Sequence, residues 1–276
     1  MDEKRLSTVL FFTSATGIYA AFVIPYIYFA SIHNKNASFE ILVDDENSFE
    51  IDNLDALKFL RLKCEINIRS IPKDFINIKN INSLRFVVEP TLRAEYVYIG
   101  DVDILITRDI FLMHEHVFHA GLPYSNMPRP CGTRLSGLHF TRYDAYYPIG
   151  DIKGLISEIN DDEILLFNII KGRGLIYDNF VYANTVKIRP TCGLHMSINR
   201  LPFFDERLRV GWGPSYEDML IINELEKTKD FWEFIELCNL SSKLVLANAI
   251  YLAKGTTLLG FESFVKLTTQ HNRIEK

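Results

Sequence analysis

Glu95-Tyr-Val-Tyr-Ile-Gly-Asp-Val-Asp-Ile-Leu-Ile106 is the stretch on which the fold turns. Tyr96 to Ile99 is apolar, aromatic and β-branched, as a buried strand requires. Gly100 ends it. Two carboxylates, Asp101 and Asp103, follow at a spacing of i, i+2 before Ile104-Leu-Ile106 resumes the apolar run. Carboxylates between two such runs are either exposed on a turn or buried at a steep cost unless paired. At a strand exit, both can reach one hard cation, Mg2+ or Mn2+, which takes oxygen ligands. The bare pattern carries little, because 17 aspartates in 276 residues produce about one Asp-x-Asp by chance. Its setting between apolar runs carries the reading. A solvated turn with Asx-type hydrogen bonds is the alternative.

Upstream, Thr8-Val-Leu-Phe-Phe12 reads as a short buried strand, Thr13-Ser-Ala-Thr-Gly17 as a polar loop, and Ile18 to Ile32 as an apolar helix. The uncharged span from Leu6 to Ile32 is long enough to cross a membrane. The small polar loop and Pro25 interrupt it, so strand, loop and helix are expected instead. A signal peptide is disfavoured, since Asp2 and Glu3 offset Lys4 and Arg5 and no small-x-small cleavage site follows. Phe39 to Val43 is a second strand, ending at Asp44-Asp45-Glu46. Leu54 to Leu62 has helical spacing, Cys64 to Ile71 alternates, and Ile81 to Glu89 reads as a helix stopped by Pro90. This alternation predicts a doubly wound, mostly parallel sheet. Ligands of such sheets bind beyond the carboxyl ends of the strands. That rule points to Thr13-Ser14-Ala15, to Asp44-Asp45 and to Asp101-Val102-Asp103.

Downstream, residues from His114 to Tyr147 are rich in Pro, Gly, Tyr and His and read as loops with one strand, Leu138 to Thr141. Asp161 to Gly172 is a predicted helix, with Asn160 as N-cap and Glu163 completing a capping box. Val186 to Arg189 is a predicted strand leading into Pro190-Thr-Cys-Gly-Leu-His195. The segments Ser215–Glu226, Lys229–Leu240 and Lys243–Lys254 read as mostly helical.

Composition narrows the class. Hydrophobic residues make up 48% and charged residues 24%, which suits a packed globular chain. The net charge of −5 without a long basic run argues against a nucleic-acid partner. The four cysteines form no C-x-x-C pair and read as reduced thiols of a cytosolic protein. His114-Glu-His116-Val-Phe-His119 resembles a zinc motif only superficially: no histidine follows His114 by four positions and no third ligand is evident.

Leu84-Arg85-Phe86, followed by Tyr-Val-Tyr-Ile-Gly-Asp101-Val-Asp103-Ile-Leu, resembles the donor-binding half of GT-A glycosyltransferases. It is most similar to the glycogenin and lipopolysaccharide-galactosyltransferase group and to bacterial capsule or lipopolysaccharide transferases. The chain departs from that pattern at Gly100, which separates the aliphatic residue from the first aspartate. The resemblance implies an α/β fold of the GT-A (Rossmann-like) kind: a mostly parallel mixed sheet flanked by helices, with a helical C-terminal part. It implies a catalytic domain over 1–212 and a helical extension over 213–276. It implies metal-dependent transfer of a hexose from a nucleotide sugar, UDP-linked, to a hydroxyl of a saccharide or lipid-linked saccharide. Such chemistry belongs to the cytoplasm or the inner membrane face; Phe231, Trp232 and Phe234 read as a packing face, with peripheral membrane docking as the alternative.

Residue by residue, the resemblance implies that Asp101 and Asp103 hold Mn2+ or Mg2+ with the donor, and that His195, in a Gly-Leu-His turn, is a third ligand. Arg85 and Val102 would lie at the donor, and Thr13, Ser14, Ala15 and Asp44 near its nucleoside. Arg134, Ser136 and His139 would face the sugar or acceptor. The acids Asp161, Asp162 and Glu163 resemble the acidic helix start of the glycogenin-like group, which implies retention of configuration. Gly211-Trp-Gly213 with Glu217-Asp218 resembles a segment of inverting enzymes, in which the aspartate is the general base. Capped helix starts explain both acidic segments equally well. Two other classes stay open. One is a binding domain without catalysis. The other is a nucleotidyltransferase, which would want a Gly-rich basic loop where Thr13–Gly17 has one glycine and no Lys or Arg.

Overall fold

β1 (Val9–Ala15) feeds two cores at once. Side chains alternate along a strand. Val9, Phe11 and Ala15 enter one apolar cluster. Leu10 and Phe12 enter the other. A strand buried on both faces must be apolar throughout and lie inside its sheet. The structure, a computed structural model, describes residues 9–75, 78, 80–129, 132–176, 193–196 and 215–254. The expected strand at 186–189, the Gly211-Trp212-Gly213 segment, Cys131 and Cys192 lie outside the described residues.

β1 is flanked by β2 (Ser38–Val43) and β4 (Tyr96–Ile99), both parallel to it, and β3 (Glu65–Ser70) lies beyond β2. β7 (His139–Arg142) pairs antiparallel with β4, and β6 (Tyr124–Ser125) antiparallel with β7. The sheet order is β3-β2-β1-β4-β7-β6. The chain therefore moves outward from β1 to β3, then returns to the other side of β1 at β4. That reversal opens a crevice at the carboxyl ends of β1 and β4, where doubly wound sheets take ligands. β5 (Ile104–Ile106) and β8 (Gly193–His195) form a separate antiparallel pair. The mostly parallel mixed sheet, its helical flanks and the helical C-terminal part match the expected class.

On one face, α1 (Val23–His33) is apolar all round and buried from Val23 to Ala30. The same cluster takes in α2 (Glu46–Asp52), α3 (Leu54–Arg61) and the C-terminal helices α9 (Tyr216–Glu226), α10 (Lys229–Leu237) and α11 (Leu240–Ala253). Tyr28 of α1 stacks on Phe234 of α10 with ring centroids 4.0 Å apart. Such a ring contributes about 1.5–3 kcal/mol by burial. On the other face lie α4 (Leu84–Val87), α6 (Tyr143–Tyr146), α7 (Lys153–Glu158) and α8 (Asp162–Gly172). Among the described residues no helix is long and apolar enough to cross a membrane.

Residues Ile110–His119, expected partly as loop, form α5. Asp109 caps it by accepting from the Leu112 amide. Its buried positions Ile110, His114, Val117 and Phe118 repeat at helical spacing. The imidazole of His114 belongs to that apolar face, which is why a polar-looking segment is helical. Glu40, wholly buried in β2, accepts from the Thr91 and Leu92 amides and the Thr91 hydroxyl and pairs with Arg69. It ties the turn after α4 to the sheet and so sets where β4 begins.

Candidate active site

One hydrogen bond ties β1 to the turn that follows β4. The Thr13 hydroxyl donates to the Gly100 carbonyl at 2.7 Å. Thr13 is fully buried, and its contact with this region is that bond to Gly100. Gly100, the departure from the family pattern, has a steric reason. A Cβ there would lie 2.6 Å from the Tyr98 ring, which is itself fully buried. Of the nucleoside-side candidates, Ala15 is buried, Ser14 is half-buried, and exposed Asp44 accepts from the Gly17 amide at 2.7 Å. That contact stitches the loop after β1 to the end of β2.

Asp101 and Asp103 follow, with the Val102 side chain between them buried in the core. β5 then pairs with β8, and the register sets Ile104 against His195. His195 Nε2 stands 3.4 Å from Asp103 Oδ1, and the Met196 amide donates to the Asp103 carbonyl at 2.8 Å. Gly193 makes this approach feasible, because a Cβ on it would sit 2.1 Å from the Leu105 carbonyl oxygen. One ligand atom each from Asp101, Asp103 and His195 lies within 4.8 Å of the others. Among the described residues no other group of His, Cys, Asp and Glu is arranged to hold a metal. Burial alone would raise the Asp103 carboxyl, but His195 and then Arg85 outweigh it and hold the group below its ordinary range.

Arg85 of α4 is the hub of the surrounding charges. Its Nη2 lies 2.9 Å from Asp101 Oδ1 and 3.0 Å from Asp162 Oδ2. The Tyr146 hydroxyl holds α4 in place by donating to the Phe86 carbonyl. Gly137 leaves room for the guanidinium, since a Cβ there would approach Nη2 to 3.0 Å.

The three acids at the start of α8 are not equivalent. Asp161, not Asn160, is the N-cap, accepting from the Ile164 amide at 3.0 Å, and it pairs with Arg134. Glu163 completes no capping box. It is held by Arg129, with Arg134 at 3.7 Å. Asp162 alone shares an arginine with the metal-motif carboxylate Asp101. Burial pushes its carboxyl above the ordinary range, against the pull of Arg85. Arg129 went unread in the sequence: it lies in a proline-flanked loop with no motif, and only the turn at 127–136 brings it to Glu163.

Two expected sugar-facing residues are interior. Ser136 is fully buried, its carbonyl and hydroxyl taken by Asn126 and the Leu138 amide. His139 is fully buried between Tyr124 and Tyr146, with Nδ1 3.2 Å from Asn126 Nδ2. Burial lowers its pKa to about 3, so it is a neutral core group. Asp218 is likewise not brought to the cluster. It forms a capping box with Ser215 and accepts from Thr107 at 2.5 Å, with Arg108 alongside. His114, from the superficial zinc motif, bonds Ser125 at 3.0 Å inside the core.

No family model and no curated protein sequence matches the chain. Solved structures similar to it include glycosyltransferases. The apo form of glycosyltransferase GlyE from Streptococcus pneumoniae TIGR4 is 12% identical over 67% of this chain and 53% of its own, with a TM-score of 0.42. A second GlyE structure is 10% identical over 92% and 65%, with a TM-score of 0.45. An active-site mutant of LgtC is 12% identical over 83% of this chain and 94% of its own, with a TM-score of 0.46. The chain thus spans between about half and two thirds of the GlyE chains.

Proposed function

We propose that this chain is a metal-dependent glycosyltransferase. In this reading it moves a sugar from a nucleotide sugar, UDP-linked, to a hydroxyl of a cell-surface saccharide such as capsule or lipopolysaccharide. The observation that carries the reading is the meeting of Asp101, Asp103 and His195 at the strand-order reversal. The donor set of two carboxylates and an imidazole suits Mn2+ or Mg2+. Charge supports it too. Five carboxylates (Asp101, Asp103, Asp161, Asp162, Glu163) are met by three guanidinium groups (Arg85, Arg129, Arg134), which leaves two negative charges for a divalent cation.

A cation bound there supplies charge neutralisation to a departing diphosphate. The chain's own residues do the rest. Arg85 orients Asp101 and Asp162 against each other. Asp162, the acid joined to Asp101 through Arg85, faces the donor sugar and supports positive charge at its anomeric carbon. Arg129 and Arg134 keep Asp161 and Glu163 occupied, so that a single carboxylate serves the reaction. Asp218 is a capping residue in this reading, and the product retains the anomeric configuration. Residues 213–276 form an extension that contacts the acceptor or a membrane surface, with Trp232 exposed on it.

The test is a panel of UDP-sugars assayed with and without Mn2+, on the wild type and Asp103→Ala, with product configuration read by NMR. Cation-dependent turnover should fall at least roughly 100-fold in the variant. Undiminished turnover with excess Mn2+ would refute the metal assignment.

A further inference from the structure

Thr13 is a fully buried polar side chain that directly follows Phe11 and Phe12 in β1. A valine would fill the same space and suit a buried strand as well. A buried hydroxyl is costly unless it is bonded. This one donates to the buried Gly100 carbonyl at 2.7 Å. The bond falls where two paired strands part. Pairing of β1 with β4 stops at Phe12 against Ile99, while β1 goes on pairing with β2 through Ala15. One position further on, the Thr13 side chain makes the link that the β1–β4 ladder no longer makes. What it holds is the start of the carboxylate turn. The Gly100 carbonyl and the Asp101 Cα belong to one planar peptide unit, so fixing the carbonyl fixes the direction in which Asp101 leaves the sheet. Gly100 has no side chain of its own to restrain that unit, and a Cβ on it would lie 2.6 Å from the Tyr98 ring. The Ile104 amide then closes the turn by donating to the Asp101 carbonyl at 3.3 Å, with Asp103 inside it.

We propose that Thr13 is a positioning residue of the cation site: through the Gly100 carbonyl, it sets the direction of the turn from which Asp101 and Asp103 reach the ion. Groups behind the ligands of a metal fix their orientation in this way. The inference rests on the cation reading above. It assigns Thr13 to the carboxylate turn rather than to the nucleoside, and it adds to the site a residue 87 positions from Gly100 in sequence.

The experiment is calorimetric titration of Mn2+ alone into the wild type, Thr13→Val, Thr13→Ser and Thr141→Val, with melting temperatures recorded free of cation. Thr141 is the control: it is a buried threonine of the same sheet, and its hydroxyl donates to the Pro123 carbonyl at 3.2 Å, away from the carboxylate turn. Thr13→Val keeps the volume and removes the donor, and should bind Mn2+ about tenfold more weakly. Thr13→Ser restores the donor and should bind like the wild type. Thr141→Val should lower the melting temperature without changing the affinity. Should Thr13→Val not fold, Thr13→Cys replaces it, since a thiol of similar size is only a weak donor, and the same loss is expected. Wild-type Mn2+ affinity in the donor-free variant overturns the proposal while leaving the cation site standing, and shows a purely structural hydroxyl. An equal loss of affinity in Thr141→Val overturns it too, as general loosening of the sheet. No Mn2+ binding by the wild type overturns the cation reading and this inference together.

Discussion

Replacing Gly193 by alanine should disable the proposed cation site without altering Asp101, Asp103 or His195 themselves. The added Cβ would lie 2.1 Å from the Leu105 carbonyl oxygen, 2.8 Å from its carbon and 2.9 Å from Ile106 Cα. All three are backbone atoms, so no side chain can swing aside. Contacts below 3.4 Å are already tight, and β8 must therefore retreat by roughly 1 Å. His195 is two residues along the same strand, and the Met196 amide next to it bonds the Asp103 carbonyl. Metal–ligand distances tolerate only about 0.2 Å. A retreat of that size removes His195 from the ligand set, which costs about 10- to 100-fold in affinity, or about 1.4–2.8 kcal/mol. Lost packing of Leu194, which is fully buried, adds about 1–3 kcal/mol of destabilisation. The assay is Mn2+ titration by calorimetry beside urea unfolding. His195→Ala gives the affinity expected when the imidazole is lost. Gly154→Ala, in α7 with nothing within 4 Å of the new Cβ, controls for the substitution itself and should be neutral or stabilising. Wild-type Mn2+ affinity in Gly193→Ala would refute the claim that β8 delivers His195 through this close approach.

Other outcomes follow from the same contacts. Arg85→Met should destabilise the fold by about 3 kcal/mol in urea, since it leaves Asp101 and Asp162 facing each other without their shared partner. A midpoint within error of the wild type would show the pair to be solvated instead. His114 and His139 are held neutral by burial, with pKa values lowered to about 4 and about 3 from 6.5. A lowered folded-state value means that the unfolded chain takes up the proton first, so stability is full above pH 6.5 and is lost as pH falls below it. Each should cost about 2 kcal/mol at pH 5. His114→Gln should shrink the stability difference between pH 7.5 and pH 5 by that amount, and an unchanged difference would mean that His114 is hydrated.

Tyr96–Ile99 and Val9–Phe12 could be read as strands because runs buried on both faces must be apolar whatever surrounds them. The i, i+2 carboxylates at a strand end and the Gly-Leu-His turn were legible for a similar reason: they are local patterns whose chemistry needs only neighbouring residues. What could not be read was which groups meet. The acids of α8 looked alike in sequence, yet Arg134 takes Asp161, Arg129 takes Glu163, and Arg85 links Asp162 to Asp101. The arginines come from two distant segments, and no spacing rule joins them. His139 and Ser136 are expected at the sugar because the resemblance puts such contacts between the strand-end carboxylates and the acidic helix start. The structure places both in the interior, and burial belongs to the whole sheet.

The sequence by itself determined the α/β alternation, the strand-end carboxylates and the helical tail, since periodicity and composition are properties of adjacent residues. Only the tertiary structure decided that His195 stands across from Asp103 and that Asp162 is the acid joined to Asp101 through Arg85. It alone also showed that Asp218 is spent on a cap. Those facts depend on the register of β5 with β8 and on where α4 packs, and registers are set by the shared core rather than by the segments themselves.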